Sequence, residues 1–215
     1  MRPFGRTKVD LPRFPGQAGG KWRTIGAMVG TLPRTMFVPL AAFAAGGVVS
    51  LLLGVYGTQH EPTFRSINTF GFGSMIHMKV WFAIAVGVLA VGQLIGALWI
   101  YGRLGITAPP WLGKAHRAGG TIAILLTLPV AFHCLWSLGF QSGDNTTTRV
   151  LMHSIVGCAV YGALVVKIVA VRSKTAPGWL LPIAGGLLFA VLITVVWTSA
   201  IWYLGAVGLP KGAAY

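Results

Sequence analysis

Apolar residues run through this chain in long stretches, without the alternation of polar and apolar positions that a strand would show. Roughly, the stretches are Met36–Tyr56, Ser74–Tyr101, Lys114–Leu138, Arg149–Val171 and Trp179–Leu204. A helix rises about 1.5 Å per residue, so each can cross the ~30 Å hydrocarbon core of a bilayer. Barrel strands would alternate, and an open sheet cannot satisfy its backbone in lipid. The pattern predicts an all-α integral membrane protein with five transmembrane helices over residues 36–205. Residues 1–35 form a basic arm rich in Pro and Gly, and residues 206–215 a short tail.

Composition agrees. The 215 residues are 55% hydrophobic and 9% charged, whereas soluble domains carry about 25% charged residues. The net charge of +14 comes from 17 Lys and Arg against three acids, Asp10, Glu61 and Asp144. In a soluble chain that balance would suggest nucleic acid. Here the cations gather in the arm, in the loop 102–113 and in the linker 172–178, which positive-inside orientation and anionic lipid explain without nucleic acid. The expected placement is therefore a multi-pass protein of the cell membrane with a cytoplasmic amino terminus. The arm lacks a twin-arginine pair and is long for the n-region of a signal peptide. Cys134 and Cys158 lie inside predicted spans with neither a C-x-x-C-H nor an iron–sulfur spacing, and read as packing residues.

The chemistry sits in the histidines. An ionisable side chain inside a span is costly and marks a functional site by default. With the arm inside, His77 and His153 open helices two and four at the outer face, and His133 lies near the outer end of helix three. His116 lies at the inner end of helix three, and His60, in the first outer loop beside Glu61, reads as solvent-facing. Two neutral imidazoles from different helices at one depth suit a buried b-type haem. A flat ring needs small neighbours, and Gly157, four residues after His153, shares its face. Lys167 returns near that face about 21 Å deeper. No carboxylate lies in any span, which argues against a proton relay. A zinc site built from His60, His77, His133 and His153 is a minor alternative.

These residues resemble the cytochrome b561 family of transmembrane electron carriers, over about residues 74–204. His77 matches the ligand on the family's first core helix. Lys114-Ala-His116-Arg117 with Gly119-Gly120 is similar to the basic stretch around the second, and His153-Ser154-Ile-Val-Gly157 to the His-Ser-x-x-Gly of the third. The resemblance implies a four-helix haem-binding core plus one peripheral helix, with His77 and His153 as axial ligands of one haem b. The last helix has no histidine, so His116 lacks the partner for a second haem. The inner boundary is left to a haem propionate or a quinone, with His116, Arg117 and Lys167 as its residues. His133 fits no position in the pattern and is left as a hydrogen-bond donor behind a ligand or as an alternative ligand.

The function expected on this basis is transmembrane electron transfer as an oxidoreductase subunit. Electrons would pass from a quinol pool or cytoplasmic donor to a separate redox protein outside. The alternative is a non-redox anchor of a larger complex, and membrane lipid is an expected partner in either case.

Overall fold

The runs of apolar residues become helices because only a helix satisfies every backbone N–H and C=O from within its own segment. A computed structural model describes residues 34–210, with no strand among them. The expected arm lies almost wholly outside those residues. The helices are α1 (Arg34–Gln59), α2 (Met75–Ile100), α3 (Leu112–Phe132), α4 (Thr148–Arg172) and α5 (Leu180–Val196). Two of them run on: α3 passes into a π-helical stretch, His133–Leu138, and α5 into another, Trp197–Ile201, followed by an α-helical end, Trp202–Ala206. The resulting spans have 24 to 27 residues and are long and apolar enough to cross a membrane, so this is a multi-pass membrane protein.

Ends fall where local chemistry places them. The Ser74 hydroxyl accepts the backbone N–H of His77 at 3.2 Å and caps α2. The π-stretch of α3 stops at Gly139, whose φ of +69° suits glycine. A Cβ there would also come within 2.9 Å of Pro62. The glycine thus lets the α1–α2 loop lie against the end of α3, where Phe64 N–H donates to Ser137 O at 2.9 Å.

Helix α2 packs between α3 and α5, and α4 between α5 and α1. Helices α3 and α4 meet sparingly, through the Tyr161 hydroxyl donating to Thr127 Oγ1 at 3.1 Å. Small residues make the tight contacts. One buried cluster joins Ala42, Val166, Ala170, Leu180 and Ala184, and a second joins Val86, Val160, Ala163, Leu188 and Leu192. Small side chains let helix backbones approach where lipid removes the usual hydrophobic drive. The closest approach is between α1 and α4, where a Cβ on Gly46 would stand 2.6 Å from the Gly162 carbonyl oxygen. The far side of α1 leaves Phe37 and Leu51 each 67% exposed, suited to lipid. Helix α1 is thus peripheral to the other four.

Gly162→Leu should push α1 away from α4 and lower stability by about 1–3 kcal/mol or more, the usual range for overpacking. Thermal unfolding in detergent tests this. An unchanged midpoint would mean that the two glycines do not carry the crossing.

Candidate functional site

The sparing contact between α3 and α4 leaves a cavity of about 360 Å³ between them, closed by α2 and α5. It lies at the end of the bundle where α2 and α4 begin. Its walls are mostly apolar, with Val80 and Ala83 of α2, Val130 of α3, and Leu192 and Val195 of α5. Six polar side chains matter there: Lys79, Cys134, Arg149, His153, Tyr161 and Thr198.

His153 is held by its neighbour. Its Nδ1 lies 3.1 Å from Thr198 Oγ1, and that hydroxyl donates to Thr194 O at 2.8 Å. A carbonyl only accepts, so the hydroxyl proton is committed and Nδ1 must be the donor toward Oγ1. In the neutral imidazole this assigns the proton to Nδ1 and leaves a lone pair on Nε2. The π-turn of α5 supplies the geometry, since such turns reposition side chains and free carbonyls. The Thr198 carbonyl accepts Arg149 Nη1–H at 2.7 Å, and the Arg149 guanidinium lies 3.6 Å above the Trp202 ring. One turn after His153, Gly157 lines the same cavity, and a Cβ added there would meet nothing within 4 Å.

The other predicted outer residues are not brought into this space. His77 is half-buried and does not line the cavity. At about 100° per residue, α2 turns it away from the face made by Ile76, Lys79, Val80 and Ala83. His133 is 2% exposed and also does not line the cavity. Its Nδ1–H donates to Pro129 O at 2.7 Å, and its Nε2 is buried without a partner. His60, expected to face solvent, is half-buried instead. Its Nε2–H donates to Trp136 O at 3.2 Å, and its ring stacks on Tyr56 at 5.2 Å between centroids. The folded loop draws it in. No group of three or more His, Cys, Asp or Glu is gathered for a metal ion among the described residues, so the four-histidine zinc alternative has no cluster.

At the opposite end, His116 packs over Gly96, whose added Cβ would be 3.3 Å from its Nδ1. Gln93 lies across Gly119 and Gly120, 2.8 Å and 3.1 Å from the Cβ positions there. His116 Nδ1 and Gln93 Oε1 are both buried without partners. Lys167 is near enough to His116 for their charges to interact, while Arg117 is exposed.

Sequence reasoning missed Lys79, Cys134, Arg149, Thr198 and Gln93. The signal for Gln93 was its polarity within the α2 run. Cys134, expected only to pack, lines the same cavity as His153 and Lys79. Cys134 and Cys158 both line the cavity as free thiols.

A family model matches residues 36–211 and so takes in all five helices. The chain belongs to DUF6529, a family of unknown function. The match begins after the arm and covers both the cavity and the Gln93–His116 cluster. No curated protein and no solved structure matches the chain.

Gly157→Leu should fill part of the cavity without a clash. Its unfolding midpoint is expected to change little, while any apolar ligand that copurifies with the wild type is lost. Mass spectrometry of extracts from both proteins reads the outcome, and equal retention would mean that the ligand lies elsewhere.

Proposed function

We propose that this protein is a membrane electron carrier holding a b-type haem in the cavity beside His153. One observation carries the reading: a half-buried histidine with its Nδ1 proton committed to Thr198 lines a mostly apolar cavity, one turn from a glycine with open space beside it. Ligating histidines are commonly oriented this way, with the second ring nitrogen donating to a fixed acceptor. The cavity volume is at the lower end of the ~300–1,000 Å³ found for ligand sites. The residues fit a haem best from the α4 side. When bound, its iron supplies one-electron chemistry.

The chain's own residues have separable parts. His153 would hold the haem iron from α4, and Thr198 keeps its ring oriented. His77 is the second ligand implied by the resemblance to cytochrome b561, and α2 would have to turn to bring it to the cavity, which it does not line. If it does not serve, Cys134 and Lys79 are further donors in the cavity lining. The apolar walls exclude water. At the other end, Gln93, His116 and Lys167 form a polar cluster suited to a quinone head group or a second anionic group.

The loop charges support a cytoplasmic amino terminus in the cell membrane, which puts His153 near the outer face. An external redox protein would then be the partner.

The visible spectrum of the purified protein tests the function. A reduced-minus-oxidised b-type α band is expected, and a colourless protein eliminates this reading in favour of a non-redox anchor. His153→Ala and His77→Ala should each abolish the low-spin spectrum, while His133→Ala retains it. Low-spin haem in His77→Ala would transfer the second position to Cys134 or Lys79.

Orientation has its own check. Reporter fusions after Arg103 and after Asp144 should report inside and outside respectively. A shared compartment would overturn the topology.

A further inference from the structure

The cavity has cations and no anion. Lys79 and Arg149 line it, and no acidic side chain does. Glu61 and Asp144, the acids among the described residues, are exposed and outside the lining. Cations near the end of a span ordinarily snorkel to the headgroups. Arg149 is held otherwise: its guanidinium is drawn onto the Thr198 carbonyl and the Trp202 ring, while Lys79 lines the cavity itself. Both residues are half-buried. Charges withdrawn from water are costly unless something of opposite sign meets them.

Position narrows the chemistry. Arg149, Thr198 and Trp202 line both the cavity and a groove on the bundle surface beside Met152 and Ile201. Arg149 therefore stands at the rim, and His153 lies four residues further in, about 6 Å along the helix. The Arg149 hydrogen bond to Thr198 uses one of the guanidinium's five N–H groups. Beyond the rim the walls are mostly apolar.

We propose that Lys79 and Arg149 bind the carboxylate end of an amphiphile whose apolar body fills the cavity. For haem, on which that part of the inference rests, the carboxylates are the propionates. A fatty acid offers the same chemistry from another source. Charge-assisted hydrogen bonds to a carboxylate are stronger than neutral ones, so the free acid is favoured over its ester.

The test uses the full-length protein in detergent, prepared from haem-limited cells. It is titrated with haem, haem dimethyl ester, palmitate and methyl palmitate, followed by absorbance and by quenching of tryptophan fluorescence. Each ligand that binds as an acid is expected to bind about tenfold or more tightly than its ester. That preference should fall to near unity in the Lys79→Gln, Arg149→Gln double variant and persist in Arg149→Lys, which keeps the charge if the double variant fails to fold.

Equal binding of acid and ester to the wild type would overturn the inference. Equal binding of haem and its ester would do so while leaving the haem reading intact. Preferential binding of palmitate with no binding of haem would support the inference and remove the haem reading. Binding of none of the four overturns both.

Discussion

Inside a bundle surrounded by lipid, a polar group has no water to fall back on, and this structure is arranged around the few groups that need partners. The hydrogen bond from His153 to Thr198 is central because it joins three requirements at one point. It satisfies Nδ1, ties α4 to α5, and leaves Nε2 available. Thr198 can serve because its own proton goes to Thr194 and its carbonyl is free to receive Arg149. That freedom comes from the π-turn at Trp197–Ile201, where regular α-helical bonding is interrupted. One irregular turn therefore sets both the tautomer of the histidine and the inward pose of the arginine.

A second π-turn stands across the cavity, at His133–Leu138. Pro129 precedes it, and a proline inside a helix removes a backbone donor and disturbs the turn around it. The Pro129 carbonyl then takes the His133 side chain as a donor. Cys134, the next residue, lines the cavity, while His133 does not. A straight helix through this region would distribute those side chains differently. The two interruptions sit at the same end of the bundle, around the space between α3 and α4. Irregular backbone in a span is tolerated where protein buries it or a cavity needs it.

The five spans were legible because length and unbroken hydropathy are sufficient to specify a membrane helix, and their ends came within a few residues of Ser74, Arg149 and Leu138. The shared face of His153 and Gly157 was legible for a similar reason, since i and i+4 fall together on any helix. His77 was a different matter. Depth along a helix can be read from its ends, but the side it faces depends on how α2 is rotated against α3 and α5. One residue of phase separates the cavity-lining Ile76 from His77. The burial of His60 was hidden too, because it depends on a loop folding back to Trp136 through contacts 76 positions apart.

The two ends of the bundle use polarity in opposite ways. At the His116 end, Gln93 and His116 fill the space that Gly96, Gly119 and Gly120 open, and the groups left without partners are packed among helices. At the His153 end, the glycine opens space that no side chain fills. Glycine alone therefore does not mark a ligand site; what distinguishes the two places is whether a neighbour has moved in. At Gly157 none has, and Arg149, His153 and Tyr161 around it are each oriented by a bond to a backbone or hydroxyl oxygen. An arrangement that satisfies one side of these groups and leaves the other facing a mostly apolar space is what a bound molecule, rather than the protein itself, would complete.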